Sequence, residues 1–131
     1  WKTSVAQVKN LPKGTPVGYG RTETLKRDSV VAVLAAGYVD GYDRRLSSRG
    51  IVLIHGHKAK ILGRVCMNMC MADVTGIPGV RAGNKATLIG RERPATGGKQ
   101  VTADDLAILC DTTNYDIVSR INPSTTRIPR V

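Results

Sequence analysis

The stretch Thr15-Pro16-Val17-Gly18-Tyr19-Gly20 organises the chain, and a related stretch, Gly37-Tyr38-Val39-Asp40-Gly41-Tyr42, follows it. In the first stretch, an apolar and extended approach ends in a tyrosine with a glycine on each side. Because glycine has no Cβ atom, the backbone can bend sharply beside Tyr19, and other groups can come close to it. Two interpretations of Tyr19 remain open at this point: a structural phenol at a sheet edge, and an acid/base group.

Composition limits the class of protein. The chain has 131 residues, enough for one domain with a core of modest size. Phe is absent, so the core must consist of Val, Ile, Leu, Ala and Met.

No run of about 18 apolar residues occurs, so we expect no membrane span. Three cysteines, an odd number, favour a reducing, cytoplasmic location over a disulfide framework. Because the chain starts at Trp1 without an initiating Met, we expect it to be cut from a longer protein.

The formal net charge of +10 raises the hypothesis of nucleic-acid binding. The basic residues are, however, spread along the chain without a block of like charges. No aromatic residues are interleaved with them for base stacking. We therefore expect no nucleic-acid partner, since a solvated surface or a basic lining around an anionic small molecule explains the charge as well.

Short apolar segments separated by glycine turns predict a mainly β fold, either a small barrel or a sandwich. The predicted strands are residues 3–9, 15–20, 30–36, 51–54, 59–66, 69–74, 86–89 and 115–121. Residues 91–100, rich in charge, Pro and Gly, are predicted to form a loop. The stretch Thr102-Ala103-Asp104-Asp105 has the form of a capping box and predicts the one short helix of the fold, at about residues 102–110.

Two possible ligand pairs indicate no metal site. His55 and His57 have no convincing third ligand, so an exposed turn is the preferred interpretation. Cys66 and Cys70 do not form a CxxC motif and are interpreted as small buried apolar groups. Every second position of the same segment is a methionine: Met67, Met69 and Met71. This period indicates packing in the core.

A tyrosine phenol ionises at about pH 10, so it is a base at neutral pH only where positive charge or hydrogen-bond donors stabilise the phenolate.

Six motifs, each weak alone, occur in one order along the chain. They are Pro16-Val-Gly-Tyr19-Gly-Arg-Thr, Ala36-Gly-Tyr38-Val-Asp-Gly-Tyr42, Gly63-Arg64-Val-Cys-Met67-Asn-Met-Cys-Met71, Leu88-Ile-Gly-Arg91, Thr113-Asn-Tyr115-Asp and Arg127-Ile-Pro-Arg130. This ordered set resembles the C-terminal domain of alanine racemase, a pyridoxal-phosphate enzyme of bacterial cell-wall synthesis, over essentially the whole chain.

The resemblance implies that residues 1–131 are a barrel-like C-terminal domain, without the N-terminal TIM-type barrel that binds pyridoxal phosphate on a lysine. In the family, each active site of a head-to-tail homodimer joins the barrel of one subunit to the C-terminal domain of the other. The cofactor acidifies the Cα–H bond of the amino acid, the barrel lysine serves one face of Cα, and the tyrosine that matches Tyr19 serves the other. We therefore expect this chain alone to bind no pyridoxal phosphate and to be inactive.

The same matching assigns the other candidate site residues. The backbone N–H of Met67 is expected to bind the substrate carboxylate. Tyr38 resembles a gate residue that narrows substrate access, and Arg44 and Arg64 resemble arginines of the access corridor, which attract a carboxylate at long range. Tyr115 resembles the tyrosine that hydrogen-bonds the cofactor phosphate within its own subunit.

Three positions depart from the family pattern: Asn68 replaces an aspartate, Glu23 an aromatic residue and Thr113 an apolar residue. Smaller and more polar residues near the access route could admit larger amino acids. Alanine is therefore the default substrate, and a serine or broad-specificity racemase is the alternative. A domain retained in a fusion, such as a membrane-linked racemase, is a further variant. The alternative from another class is an independent basic β-barrel that binds nucleic acid or protein.

Overall fold

The part of the chain that the computed structural model describes, residues 1–92 and 98–129, contains ten strands and two α-helices. In chain order these are β1 (Lys2–Leu11), β2 (Pro16–Val17), β3 (Glu23–Thr24), β4 (Ser29–Leu34), β5 (Ile51–Ile54), β6 (His57–Leu62), β7 (Cys70–Asp73), β8 (Lys85–Thr87), β9 (Gly90–Glu92), β10 (Lys99–Val101), α1 (Ala103–Cys110) and α2 (Asn114–Ser119). The predicted mainly β class is confirmed. Within the described residues, no helix is long and apolar enough to cross a membrane.

Six strands form a closed barrel in the order β1-β4-β7-β6-β5-β8, and every pair is antiparallel. The long strand β1 closes it, because its first residues pair with β8 and the rest pairs with β4. The register shifts between Val5 and Gln7, where the two pairings meet. Such a bulge bends a strand, which lets one strand serve both neighbours. Of the two predicted architectures, the barrel is therefore the correct one.

Aliphatic side chains fill the barrel, as the lack of Phe requires. Leu34, Leu53 and Ile61 are among the fully buried residues. Burying one such side chain stabilises a fold by about 1.5–3 kcal/mol. The core also contains Tyr42, whose ring packs edge-on against Trp1 with the ring centroids 6.2 Å apart. The six strands thus form a well-packed barrel, and the longer loops extend from its ends.

The helix predicted near residue 102 is confirmed, but it is not the only one. The Thr102 hydroxyl accepts a hydrogen bond from the Asp105 N–H, and the Asp105 carboxylate accepts one from the Thr102 N–H. The predicted strand at 115–121 is wrong, because residues 114–119 form α2. The Thr113 hydroxyl accepts a hydrogen bond from the Asp116 N–H, so the same Thr-x-x-Asp signal begins this helix.

Three further predictions need correction. Residues 15–20 do not form one extended segment, because Gly18 and Gly20 have positive φ and the chain enters a 3₁₀ turn at Tyr19–Arg21. The predicted strand at 59–66 corresponds to β6, which ends at Leu62 before another positive-φ residue, Gly63. The predicted loop at 91–100 contains parts of β9 and β10, which pair with each other; residues 93–97 lie outside the described residues.

Candidate functional site

Three loops at one end of the barrel enclose a pocket of about 590 Å³. The first loop carries Tyr19, the second joins β4 to β5, and the third joins β6 to β7. The lining residues are Tyr19, Tyr38, Arg44, Arg64, Val65, Cys66, Met67, Asn68 and Met69. Five of the six predicted site residues are therefore brought together, although they are up to 48 positions apart in the sequence.

Tyr19 is held by its backbone rather than by its ring, which is 70% exposed. Gly18 has φ 78° and ψ 166°, a conformation that is essentially restricted to glycine. A Cβ at Gly18 would lie 2.8 Å from the Arg64 nitrogen, and one at Gly63 would lie 2.9 Å from the Gly18 Cα. The two backbones are thus in direct contact, which fixes the Tyr19 loop against the loop that follows β6.

Tyr38 is positioned by a similar backbone contact. Its N–H donates to the Cys66 carbonyl at 3.0 Å, and the Val39 N–H donates to the Met67 carbonyl at 3.0 Å. A Cβ at Gly37 would lie 2.2 Å from the Cys66 oxygen, so only glycine permits this approach. The loop after β4 is therefore joined to the loop before β7, and Tyr38 lines the pocket, half exposed.

Met67 lies in a turn and not in a strand, so its predicted core packing is wrong. The Cys66 N–H donates to the Met69 carbonyl at 2.9 Å and closes this turn, which ends the two-residue period. Met67 is 52% exposed, and Met69 is exposed as well. Cys70 is buried, whereas Cys66 is only partly buried, so the cysteine interpretation holds for Cys70 alone. No described residue accepts a hydrogen bond from the Met67 N–H, so this donor is free for a ligand.

The two arginines make the lining positive. Arg64 reaches back to the Tyr19 loop, since a Cβ at Gly20 would lie 3.3 Å from its Nη1 atom. Arg44 begins a 3₁₀ turn, Arg44–Leu46, that follows the loop of Tyr38. None of the described residues that line the pocket is acidic. An anionic group is therefore attracted to this surface.

A network of ion pairs fixes the Arg44 turn against α2. The Arg45 Nη2 atom lies 2.6 Å from the Asp43 carboxylate and 2.9 Å from that of Asp116, and Arg120 Nε lies 2.9 Å from Asp116. The hydrogen bonds from Arg45 hold the pKa of Asp43 below its usual value. The network connects the turn that carries a pocket arginine to the helix that carries Tyr115.

Tyr115 is the predicted site residue that the structure does not bring into the pocket. It lies on α2, it is 79% exposed, and it does not line the cavity.

The structure also assigns contacts to Glu23, which the sequence marks only as a departure from the family pattern. The Glu23 carboxylate accepts hydrogen bonds from Ser48 and Gly63, which are 25 and 40 positions away. No local pattern in the sequence indicates contacts of that range.

The lining fits one side of an amino-acid site. Two arginines and a free backbone N–H suit a carboxylate, and two phenols suit proton transfer. None of the described lining residues is a lysine, so the pocket lacks an amine that could hold pyridoxal phosphate covalently. These residues alone do not fit the cofactor, and a second surface would have to supply it.

Comparison with known proteins gives one consistent family. The family profile described as "Alanine racemase, C-terminal domain" matches residues 1–131. The alanine racemase of Halothermothrix orenii is 46% identical over 130 residues, which are 99% of this chain and 32% of that protein. The alanine racemase of Leptospira interrogans is 43% identical over 131 residues, all of this chain and 32% of that protein. The chain thus spans about a third of the length of these relatives.

Solved structures agree with this result. A crystal structure of alanine racemase from Bartonella henselae with covalently bound pyridoxal phosphate has a TM-score of 0.85 at 28% identity, covering 97% of this chain and 33% of that one. Alanine racemase from Streptomyces lavendulae has a TM-score of 0.83 at 34% identity, covering 93% of this chain and 31% of that one.

Proposed function

Because the chain belongs to the alanine racemase family, as its C-terminal domain, we propose that it supplies one half of an active site that interconverts L- and D-alanine. Tyr19 is the acid/base group for one face of the substrate Cα. The cofactor, pyridoxal phosphate, and the base for the opposite face belong to the N-terminal domain of the complete protein. When bound, the cofactor withdraws electrons from Cα and makes its proton acidic.

The observation that carries the proposal is the convergence of Tyr19, Tyr38, Arg44, Arg64 and Met67 on one open pocket. Inversion at a carbon requires proton removal on one face and proton return on the opposite face. Two bases that face each other across one carbon are most easily brought from two different domains. An open pocket whose described lining offers phenols and cations but no lysine fits one side of such a site.

The predicted site residues have distinct tasks. The free Met67 N–H binds the substrate carboxylate and so fixes the Cα atom relative to Tyr19. The guanidinium groups of Arg64 and Arg44 attract that carboxylate at long range. Tyr38 narrows the mouth. The task of Tyr115 is a hydrogen bond to the cofactor phosphate of its own subunit.

The assembly that completes the site is a head-to-tail homodimer, in which the pocket faces the N-terminal barrel of the other subunit. Large apolar side chains exposed at the pocket support this arrangement, since Met67 and Met69 are left for another surface to cover. The product, D-alanine, serves peptidoglycan synthesis in the cytoplasm. The chain by itself binds no pyridoxal phosphate and has no racemase activity.

A serine or broad-specificity racemase is the second candidate, because Asn68, which stands in the place of the family's aspartate, lines the pocket and offers a serine hydroxyl both a donor and an acceptor. The other two departures have structural tasks that do not bear on substrate size. Thr113 caps α2, and Glu23 hydrogen-bonds within the loops. Alanine therefore remains the first choice.

The test uses the complete gene product with added pyridoxal phosphate and a panel of L- and D-amino acids. We expect racemisation of alanine with the highest kcat/KM, and slower turnover of serine. Higher kcat/KM for serine would favour the second candidate. No racemisation of any amino acid, with cofactor bound, would overturn the proposal and favour a basic binding module. A matched sample of residues 1–131 is expected to show neither turnover nor the absorbance band of bound cofactor.

A further inference from the structure

Glu23 makes contacts well outside its own short hairpin of β2 and β3. Its Oε2 atom accepts hydrogen bonds from the Ser48 Oγ at 2.6 Å and from the Gly63 N–H at 2.7 Å. Its other oxygen lies 3.6 Å from the Lys60 Nζ atom. The side chain is only 22% exposed, so water competes little for these partners.

These contacts form a closed ring of three residues. Besides the two hydrogen bonds to Glu23, the Ser48 N–H donates to the Gly63 carbonyl at 2.9 Å. Ser48 has φ 55° and Gly63 has φ 66°, so both lie in the left-handed region. A serine adopts that region only at a cost in free energy. The ring offsets this cost and holds both residues in the conformations that the loops need.

The three residues lie in, or directly beside, the three loops that enclose the pocket, since Glu23 begins β3 just after the Tyr19 loop. Glu23 comes two residues after the 3₁₀ turn of Tyr19, and Ser48 comes two residues after the 3₁₀ turn of Arg44. Gly63 directly precedes Arg64, and its backbone touches that of Gly18. We propose that Glu23 is a positioning residue that holds these loops in register and so places Tyr19 against the substrate. This inference rests on the proposed racemase function.

The charge of Glu23 strengthens the ring. Partial burial of the carboxyl group acts to raise its pKa, but the hydrogen bonds from Ser48 and Gly63, together with Lys60, lower it below the usual value. The group is therefore ionised at neutral pH, and hydrogen bonds to an ionised acceptor are stronger than neutral ones. A carboxylate is well suited here because one of its oxygens accepts from two loops at once.

The chain offers a matched control at the far end of β7. The Asp73 carboxylate also accepts from a backbone N–H and a hydroxyl, both of Thr75, and it pairs with Arg27 at 3.1 Å. It thus has the same three kinds of partner as Glu23, but it lies at the opposite end of its strand from the pocket loop. Loss of this carboxylate changes stability without touching the pocket.

The experiment compares Glu23→Ala, Glu23→Gln and Asp73→Ala in the complete gene product. In D2O, the rate of deuterium incorporation at Cα is measured separately from each enantiomer of alanine, together with kcat and KM. We expect Glu23→Ala to reduce exchange on the Tyr19 face by up to about 100-fold, the scale that a misplacement of about 1 Å can cost. Exchange on the other face and KM stay close to their original values. Glu23→Gln retains most of the activity, because its amide oxygen can accept from the same two donors.

A second readout does not depend on activity. Hydrogen–deuterium exchange of the backbone amides of Ser48 and Gly63 should accelerate in Glu23→Ala and remain slow in Asp73→Ala. Unchanged loop protection, or a face-selective ratio in Glu23→Ala equal to that in Asp73→Ala, would overturn the positioning role and leave the racemase function intact. Equal impairment of Glu23→Gln and Glu23→Ala would also overturn it, in favour of a pure charge effect. If the unsubstituted protein racemises nothing, the proposed function fails, and the amide exchange still shows whether Glu23 holds the loops.

Discussion

Tyr19 and Tyr42 are both tyrosines preceded by glycine, and their surroundings are opposite. Tyr42 is fully buried, packs against Trp1, and has a hydroxyl with no hydrogen-bond partner among the described residues. Burial raises its pKa well above the usual value, so it stays a neutral phenol. Tyr19 projects from a glycine turn into the pocket, mostly exposed. In the barrel, tyrosine therefore fills volume, whereas in the loop we propose that its hydroxyl acts on the substrate.

The contrast between Tyr42 and Tyr19 is wrong if Tyr42→Ala and Tyr19→Ala change the free energy of unfolding by similar amounts. Tyr42→Ala leaves a large cavity in the core and should lower the free energy of unfolding by about 3–5 kcal/mol, whereas Tyr19→Ala removes an exposed ring and should change it little. Urea denaturation of the 131-residue chain gives both values. A loss of similar size for Tyr19→Ala would mean that its ring packs in the folded domain.

The backbone of the Tyr19 loop provides the next test. Gly18→Ala forces a side chain into a glycine-only conformation and against Arg64, so we expect it to cost about 1–3 kcal/mol from backbone strain and more from the clash. Gly14→Ala is the control, since Gly14 also has positive φ (86°) but has no atom within 4 Å of its added Cβ. Chemical denaturation should show the larger loss at Gly18. Equal losses would show that backbone strain alone, and not the loop contact, requires glycine there.

Another tyrosine, Tyr115, lies on a helix, α2, so its position depends on the stability of that helix. Thr113→Ala removes the hydroxyl that caps α2 and should cost about 1 kcal/mol, the typical value for a lost N-cap. Thr102→Ala at α1 is the matched control and should cost a similar amount. Both changes are measured as shifts in the urea midpoint. No loss at position 113 would mean that the buried Ile117 and the ion pairs of Asp116 hold α2 without the cap.

The smallest expected effect concerns the hydroxyl of Tyr42. Because a buried and unpaired hydroxyl opposes folding, Tyr42→Phe should be neutral or stabilise the chain by up to about 1 kcal/mol. Tyr38→Phe, at a half-exposed position, serves as the control and should be neutral. A clear loss of stability for Tyr42→Phe would reveal a bonding partner, such as an ordered water molecule.

Much of the barrel can be predicted from the sequence, because strand formation follows from the local pattern of apolar residues. Segments such as 51–54 and the cap at Thr102 were predicted correctly from apolar runs and side-chain chemistry. The same cap signal is present at Thr113, but the apolar residues of 115–121 predict a strand there instead of a helix. The predicted core packing of the methionines holds for Met71, which packs against a buried cluster, but it is wrong for Met67 and Met69, because a backbone hydrogen bond from Cys66 to Met69 turns the chain there.

The pocket is a different matter, because its assembly depends on contacts between distant residues. The resemblance named Tyr19, Tyr38, Met67 and the two arginines, but nothing local indicates that Gly18 meets Gly63. Nor could a single sequence show that Glu23 joins three loops. Contacts of this kind arise only once the barrel closes and brings the ends of its strands together.

The central claim is that Tyr19 moves the proton on one face of the substrate Cα. This role is tested most directly with Tyr19→Phe in the complete gene product with added pyridoxal phosphate, by incubating L- and D-alanine separately in D2O. We expect deuterium still to enter Cα of one enantiomer without inversion, while exchange from the enantiomer whose Cα–H bond faces position 19 falls by about 10²–10⁴-fold. Equal loss of exchange from both enantiomers would contradict the claim and leave Tyr19 a structural residue.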